Sequence, residues 1–307
     1  MSAPLPVVID TDPGIDDAMA ILAAIGDPGI DLVGLTTVFG NVSVATATRN
    51  ALQLVELAGA SVPVAGGAAR PLAREPAPHP DFVPGAQGLG EAVLPAPAAR
   101  PDPREAAAYL AETAAAHRGR LVVVAVGPLT NLARALDAHP AIAGDVARVV
   151  VMGGSLRHPG NVTPHAEANV WQDPHAAARV LAAPWPVTLV GLDVTETVRL
   201  YAEDLAPLAE RVPRSGAFLR QAFAFYAGFH ARTRGFSGCY LHDPVAVLAA
   251  ADPDRLETAA LAVAGETEGE AVGRTRPAEG GRAIEVAVSA DAPGLRRRLF
   301  EALARLP

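Results

Sequence analysis

The chain has 307 residues, 50% of them hydrophobic and 19% charged, with a net charge of -8. Its one cysteine, Cys239, excludes a disulfide framework and a cysteine-rich zinc site, and the acidic balance argues against tracking along a nucleic acid backbone, which needs a basic surface. All 25 basic residues are arginine, so chemistry that needs a lysine amine is excluded: pyridoxal-phosphate enzymes, Schiff-base aldolases and P-loop NTPases.

The N-terminal MSAPLPVVIDTD has neither a basic region nor a long apolar run, so no signal peptide is expected. No apolar run approaches the ~18 residues of a membrane span, and the expectation is a cytoplasmic protein. The first predicted strand is Val7–Ile9. A helix over Asp16–Ile25, a strand over Asp31–Val38 and a helix over Val44–Ala58 follow. Gly66–Pro103, rich in Pro, Gly and Ala, is expected to be a long loop over the sheet; loops of that length are usually functional or disordered. Next come a helix over Arg104–His117, a strand over Leu121–Val126, a helix over Leu129–Ala138 and a strand over Val149–Val151. Gly153–Asp173 shows no helical period. A helix over Pro174–Ala182, strands over Val187–Val190, Leu261–Ala264 and Ile284–Val288, and a closing helix over Asp291–Leu306 complete the chain. Continuous apolar strands alternating with helices predict an α/β fold, an open and mostly parallel sheet flanked by helices. One domain over residues 1–307 is the simplest organisation.

The segment richest in chemistry is Asp10-Thr11-Asp12-Pro13-Gly14-Ile15-Asp16-Asp17, with four carboxylates where the first strand ends. Ligands of open α/β sheets bind at the carboxyl ends of strands. Asp10 and Asp12 are two apart and share a side in an extended chain. Pro13-Gly14 makes the turn. Asp16 and Asp17 open the next helix, where the dipole favours anions, and about 100° of rotation per residue sends them to different partners. Four neighbouring carboxylates stay ionised together only around a cation, and oxygen ligands suit Ca²⁺ or Mg²⁺. The alternative is an acidic surface turn that caps a helix. An EF-hand loop is excluded, because Gly14 stands at its fifth position. Asp10-Thr11-Asp12-Pro13 also fits the opening of the Asp-nucleophile phosphatases, but Gly14 replaces their Thr or Val and their lysine is missing.

Asp10–Ala18 (DTDPGIDDA) resembles the N-terminal signature of the inosine-uridine-type nucleoside hydrolases. Thr37–Val42 (TVFGNV) is similar to that family's second motif, and Val126–Asn131 (VGPLTN) to its strand-end motif. Met152-Gly153-Gly154, Gly160-Asn161, Ala166–Asn169 with Asp173-Pro174, and Leu241-His242-Asp243-Pro244 follow in the family's order. The resemblance implies hydrolysis of the N-glycosidic bond of a ribonucleoside to free base and ribose. It also implies one Ca²⁺ per site and a homodimer or homotetramer. Two other readings stand beside it: a metal-dependent phosphatase of the Asp-nucleophile type, and a non-catalytic nucleoside- or ribose-binding protein.

By the same resemblance, Asp12 ligates the metal and serves as general base. Asp17, Asp243 and the main-chain carbonyl of Val126 are its other implied ligands, with Asp10 orienting them. Asp16, Asn41, Asn161, Glu167 and Asn169 are candidate partners of the ribose hydroxyls. For Asn41 and Asn161, each after a glycine, turn chemistry is the alternative. Glu167 and Asn169 are two apart, so an extended segment aims both at one face. His242 is the candidate acid for the leaving base, since histidine donates a proton near neutral pH. Tyr226, His230 and Arg234 recur every four residues, forming one stripe of a helix that either lines the base pocket or edges the core. Val83-Pro84-Gly85 places proline where members of the family often carry histidine.

Overall fold

The computed structural model describes residues 3–307; residues 1–2, part of the stretch considered for a signal peptide, lie outside the described residues. In chain order the elements are β1 (Leu5–Thr11), α1 (Ile15–Gly26), β2 (Ile30–Thr37), α2 (Val44–Leu57), β3 (Val64–Gly66), α3 (Ala106–Ala116), β4 (Val122–Ala125), α4 (Thr130–Ala138), α5 (Ile142–Asp145) and β5 (Arg148–Met152). They continue with α6 (Ala168–Gln172), α7 (Pro174–Leu181), β6 (Val187–Val190), α8 (Leu192–Thr195), β7 (Arg199–Tyr201), α9 (Ala202–Arg211), α10 (Pro213–Arg234), β8 (Gly238–Tyr240), α11 (His242–Ala251), β9 (Leu256–Gly265), β10 (Thr275–Pro277), β11 (Ala283–Ala290) and α12 (Ala292–Leu303).

A 9-stranded sheet has the order β10-β9-β11-β6-β5-β4-β1-β2-β3. It is parallel except where β9 runs antiparallel to β10 and β11. β1 is buried along almost its whole length because both of its faces are covered. Val7 and Ile9 pack with α1, α2, α11 and α12, while the intervening Val8 packs with α3, α4 and α7. The two-residue period of a strand sorts β4 and β5 in the same way. Val122, Val124 and Val150 face the first core; Val123, Val149 and Val151 face the second. Burying a Val or Ile side chain contributes roughly 1.5–3 kcal/mol, so such a strand is an unbroken source of stability.

Strand order reverses about β1. β2 and β3 lie on one side, β4, β5 and β6 on the other. The crevice outside the carboxyl ends at such a switch point is where open α/β sheets bind ligands. Asp10 to Asp12, Val38 to Asn41, Val126 and Met152 to Gly154 all emerge there. Beside it stands a second, two-stranded sheet, β7 against β8, which leads into α11.

Several features depart from the sequence expectations, among them the unexpected helices Ile142–Asp145, Leu192–Thr195 and Ala202–Arg211, and a strand that begins at Leu256 rather than Leu261. Gly66 ends a strand rather than opening a loop: Val64–Gly66 is too short for a readable pattern and is held by its pairing to β2. Gly153–Asp173 contains a short helix, α6, started by the buried Glu167 carboxylate at its N-cap. β7 and β8, three residues each, also escape pattern reading. The segment from 67 to 105 is irregular, as expected, and tied down across the crevice. Ala68 N donates to Asn131 Oδ1 at 2.8 Å and Leu72 N to Asp173 Oδ2 at 2.9 Å. Asn50 Nδ2 donates to both Gln87 O (2.7 Å) and Pro13 O (3.2 Å), stitching the segment to the acidic turn. Among the described residues, no helix is long and apolar enough to cross a membrane.

Candidate active site

Asp10, the last residue but one of β1, is fully buried. Its Oδ1 accepts from Thr36 Oγ1 (2.6 Å) on β2 and from Asn131 Nδ2 (2.7 Å) at the start of α4. Its Oδ2 is buried without a partner. Loss of hydration raises its pKa to about 7 against the two hydrogen bonds. Asp12 has the same asymmetry. Oδ2 accepts from Asn41 N at 2.6 Å, and Oδ1 is buried with no partner. Burial, then the charge of Asp17, holds its pKa well above the usual carboxylate range. Glycine is required on both sides of this carboxylate. A Cβ at Gly127 would lie 2.5 Å from Asp12 Oδ1, and one at Gly40 would fall inside the radius of Oδ2.

Asp17 is the hub of the turn. Oδ1 accepts from Thr11 Oγ1 (2.6 Å) and Oδ2 from Gly14 N (3.0 Å) and Asn41 Nδ2 (3.2 Å). Asn41 therefore bridges Asp12 and Asp17. Asp243, 4% exposed on the first turn of α11, meets them from the far end of the chain. Carboxylate oxygens of Asp16, Asp17 and Asp243 lie within 4.8 Å of one another. Burial and then the neighbouring Asp17 charge push Asp16 up to about 8; burial, then Asp16 and Asp17, push Asp243 well above its usual range. Buried like charges this close are strongly unfavourable unless protonated or shared by a cation. The donor set is all oxygen and two buried carboxylate oxygens lack partners, so the site fits a hard divalent ion.

The other expected residues divide. Asn169 Nδ2 donates to the Val126 carbonyl (3.0 Å) and to Met152 O (3.1 Å), which places Asn169 against the carbonyl read as a ligand. That oxygen keeps a second lone pair. Glu167 and Asn169 do not lie on the extended segment their spacing suggested. Glu167 caps α6, its oxygens accepting from Asn169 N (2.8 Å), Gly154 N (2.9 Å) and Val170 N (3.1 Å). Asn169 sits in the first helical turn, so the two side chains leave in different directions. Asn161 is exposed and its Oδ1 accepts from Ala168 N at 2.9 Å, a local loop bond.

The stripe on α10 also splits. Tyr226 and His230 are buried, whereas Arg234 is exposed and reaches Glu196 at 3.7 Å. The Tyr226 and His230 rings are 4.4 Å apart, His230 lies 5.2 Å from Tyr240, and Tyr240 lies 5.6 Å from His242. An aromatic wall thus runs from α10 to the carboxylates. Burial raises the Tyr226 phenol far above its ordinary value, with the Asp16 charge next in weight. Burial lowers His230 to about 4 and His242 to about 3, so both rings are neutral at pH 7. His242 Nδ1 is bonded to Thr195 Oγ1 at 2.8 Å, which leaves Nε2 as the nitrogen for a ligand.

Sequence reasoning missed four supporting side chains: Thr11, Thr36, Asn131 and Thr195. Asn131 was visible as part of VGPLTN, but its reach to Asp10, Thr37 and Ala68 was not. Thr195 has no local signal.

A buried carboxylate set at the switch point of a parallel sheet, able to hold a metal ion, marks an α/β protein with a metal-assisted ligand site. The profile of the family described as inosine-uridine preferring nucleoside hydrolase matches residues 7–297. Uridine nucleosidase 1 of Arabidopsis thaliana is 42% identical over 270 residues, covering 88% of this chain and 80% of that protein. A pyrimidine-specific ribonucleoside hydrolase of Citrobacter koseri is 36% identical over 268 residues, 87% of this chain and 86% of that one. The solved purine-preferring ribonucleoside hydrolase from Gardnerella vaginalis superposes with a TM-score of 0.94 at 31% identity, covering 97% of this chain and 98% of that one. The chain belongs to the inosine-uridine preferring nucleoside hydrolase family. It is a nucleoside hydrolase, and the phosphatase and binding-protein alternatives give way to that assignment.

Proposed function

We propose that this enzyme hydrolyses pyrimidine ribonucleosides, uridine foremost, with Ca²⁺ held by Asp12, Asp17, Asp243 and the Val126 carbonyl. The observation that carries the reading is the unpartnered, buried Oδ1 of Asp12 beside the Asp16–Asp17–Asp243 cluster. When bound, the cation neutralises these carboxylates and makes a water easier to deprotonate. Asp12 Oδ1 is the group that would take the proton from the attacking water, while Oδ2 stays anchored on Asn41 N. The base leaves a ribose with oxocarbenium character, which clustered carboxylates stabilise. Asp16, Asn169, Asn41, Glu167 and Asn161 are the proposed partners of the hydroxyls; the position of Asp16 within the carboxylate cluster and of Asn169 against the Val126 carbonyl supports these two first. His242 Nε2, with Tyr226 and His230 behind it, meets the departing base and stabilises it by donating a hydrogen bond from the neutral ring.

The pyrimidine preference rests on the relatives named for uridine and pyrimidine substrates. The reading includes a cytoplasmic setting and a homodimer or homotetramer. Free ribose released from uridine, cytidine, inosine and adenosine, with chelator and after Ca²⁺ or Mg²⁺ is restored, tests it. Uridine turnover that is lost to chelation and returned by Ca²⁺ is expected. Undiminished turnover in chelator removes the metal assignment, and faster inosine than uridine hydrolysis removes the base preference.

A further inference from the structure

The segment from 67 to 103 contains one histidine, His79. The ring is exposed, but its Nδ1 lies 3.0 Å from the carbonyl oxygen of Gly40. A carbonyl only accepts, so Nδ1 carries the proton in this contact. The same peptide unit has its N–H on Asn41, and that N–H donates to Asp12 Oδ2 at 2.6 Å. His79, the Gly40–Asn41 peptide and Asp12 therefore form one chain of hydrogen bonds. A donor on the carbonyl polarises the peptide and strengthens the bond its N–H makes. Gly40 is pressed so close to Asp12 that a Cβ would overlap Oδ2. A small movement of this peptide must therefore move the carboxylate.

We infer that His79 is a positioning residue: by gripping the Gly40–Asn41 peptide it fixes Asp12 with Oδ2 anchored and Oδ1 free. The covering segment thereby carries a direct hold on the group that takes the proton. Asp12 is set for reaction only when this stretch is seated over the crevice. Pro84, where histidine is frequent in the family, has no side-chain donor to offer. Its own carbonyl accepts from Gly90 N at 2.7 Å and so shapes the segment internally. The inference rests on Asp12 being the base.

Three variants test it: His79→Ala, His79→Asn and, as control for the reading, Asp12→Asn. An asparagine Nδ2 stands at the same bond from the chain as His Nδ1 and donates in the same direction. His79→Ala is expected to lower kcat on uridine about tenfold with KM changed less than twofold, and His79→Asn to restore kcat to within about threefold. Hydrogen exchange at residues 38–42 should speed up in His79→Ala and return in His79→Asn, with or without added metal. Wild-type kcat and exchange in His79→Ala overturn the inference. Equal losses in both His79 variants with a raised KM also overturn it, because they mark a substrate contact instead. If Asp12→Asn turns over normally, the reading of Asp12 fails. If Asp12→Asn is inactive and His79→Ala is not impaired, only the inference fails.

Discussion

The hydroxyl of Thr195, on the short helix after β6, lies 2.8 Å from Nδ1 of His242, at the start of α11. Thr195 is fully buried and His242 is 8% exposed. The bond settles which ring nitrogen is free for a ligand. If the hydroxyl donates, Nε2 carries the hydrogen and offers it to the leaving base while the ring stays neutral. Thr195→Val keeps the shape and leaves a buried ring nitrogen unpaired. Such a loss costs ~1–3 kcal/mol, so kcat on uridine should fall by roughly tenfold, with Thr195→Ser close to wild type. Steady-state rates of the two variants check this, and an unimpaired valine variant removes Thr195 from the site.

His242→Ala separates two roles for the ring. If the neutral ring assists base departure through its Nε2 hydrogen bond, natural nucleosides should lose roughly 10–100-fold, matching the ~1.5–3 kcal/mol of a hydrogen bond to a charged group. A p-nitrophenyl riboside, whose leaving group departs without a proton, should lose far less. A parallel loss on both substrates, with weaker Ca²⁺ binding, assigns His242 to the support of Asp243.

Asp12→Asn should remove ~10²–10⁴-fold of turnover, the contribution of general-base catalysis. The amide cannot accept the proton at the atom that Gly40 and Gly127 hold in place. Asp17→Asn should instead weaken Ca²⁺ binding measured by calorimetry, because it removes a charge from the cluster. Normal metal affinity in Asp17→Asn would exclude it as a ligand.

Stability should respond to pH differently with and without metal. Burial raises Asp10 to about 7 and Asp16 to about 8 from an ordinary 3.8. Their contribution is complete below the unfolded value and is lost as pH rises through 7 to 8, where folding must hold buried carboxylates ionised. His230 and His242 act the other way, lowered to about 4 and about 3 from 6.5. Their contribution is complete above 6.5 and is lost as pH falls toward 4 and 3. The two opposing effects overlap below 6.5, so the carboxylates act alone above it. In chelator, Tm should fall between pH 6.5 and 8.5, and added Ca²⁺ should flatten the slope. Thermal scans in both buffers decide, and a Tm that rises with pH in chelator contradicts the carboxylate cluster.

Recognition of ribose should be strict. With Asp16 and Asn169 as hydroxyl partners, a 2′-deoxynucleoside forfeits a charge-assisted hydrogen bond worth ~1.5–3 kcal/mol. Deoxyuridine should therefore react at least tenfold more slowly in kcat/KM than uridine. Equal rates would move the ribose away from these residues.

By itself the sequence determined the layers and the location of the chemistry. Apolar strands buried on both faces leave an unbroken β-branched run, so Val7–Ile9, Leu121–Val126 and Val187–Val190 are legible with their flanking helices. Asp10 to Asp17 is legible for a related reason: four carboxylates at the end of a buried strand have no structural purpose as simple as packing. Local spacing could not show which oxygen of each carboxylate is spoken for. Asp10 is divided between Thr36, 26 residues away, and Asn131, 121 residues away. The Glu167–Asn169 pair failed as an extended motif because a cap turned the chain into a helix at that very point. Asp243, Thr195 and His79 reach the crevice only because β1 lies between β2 and β4, with α8, α11 and the covering segment closing over its carboxyl end. Those contacts depend on side-chain direction across distant segments, and no periodicity in the chain encodes that direction. The free Oδ1 of Asp12 is therefore a product of the assembled fold: two glycines from different strand ends, a peptide from β2's loop, and a turn that leaves one oxygen unclaimed.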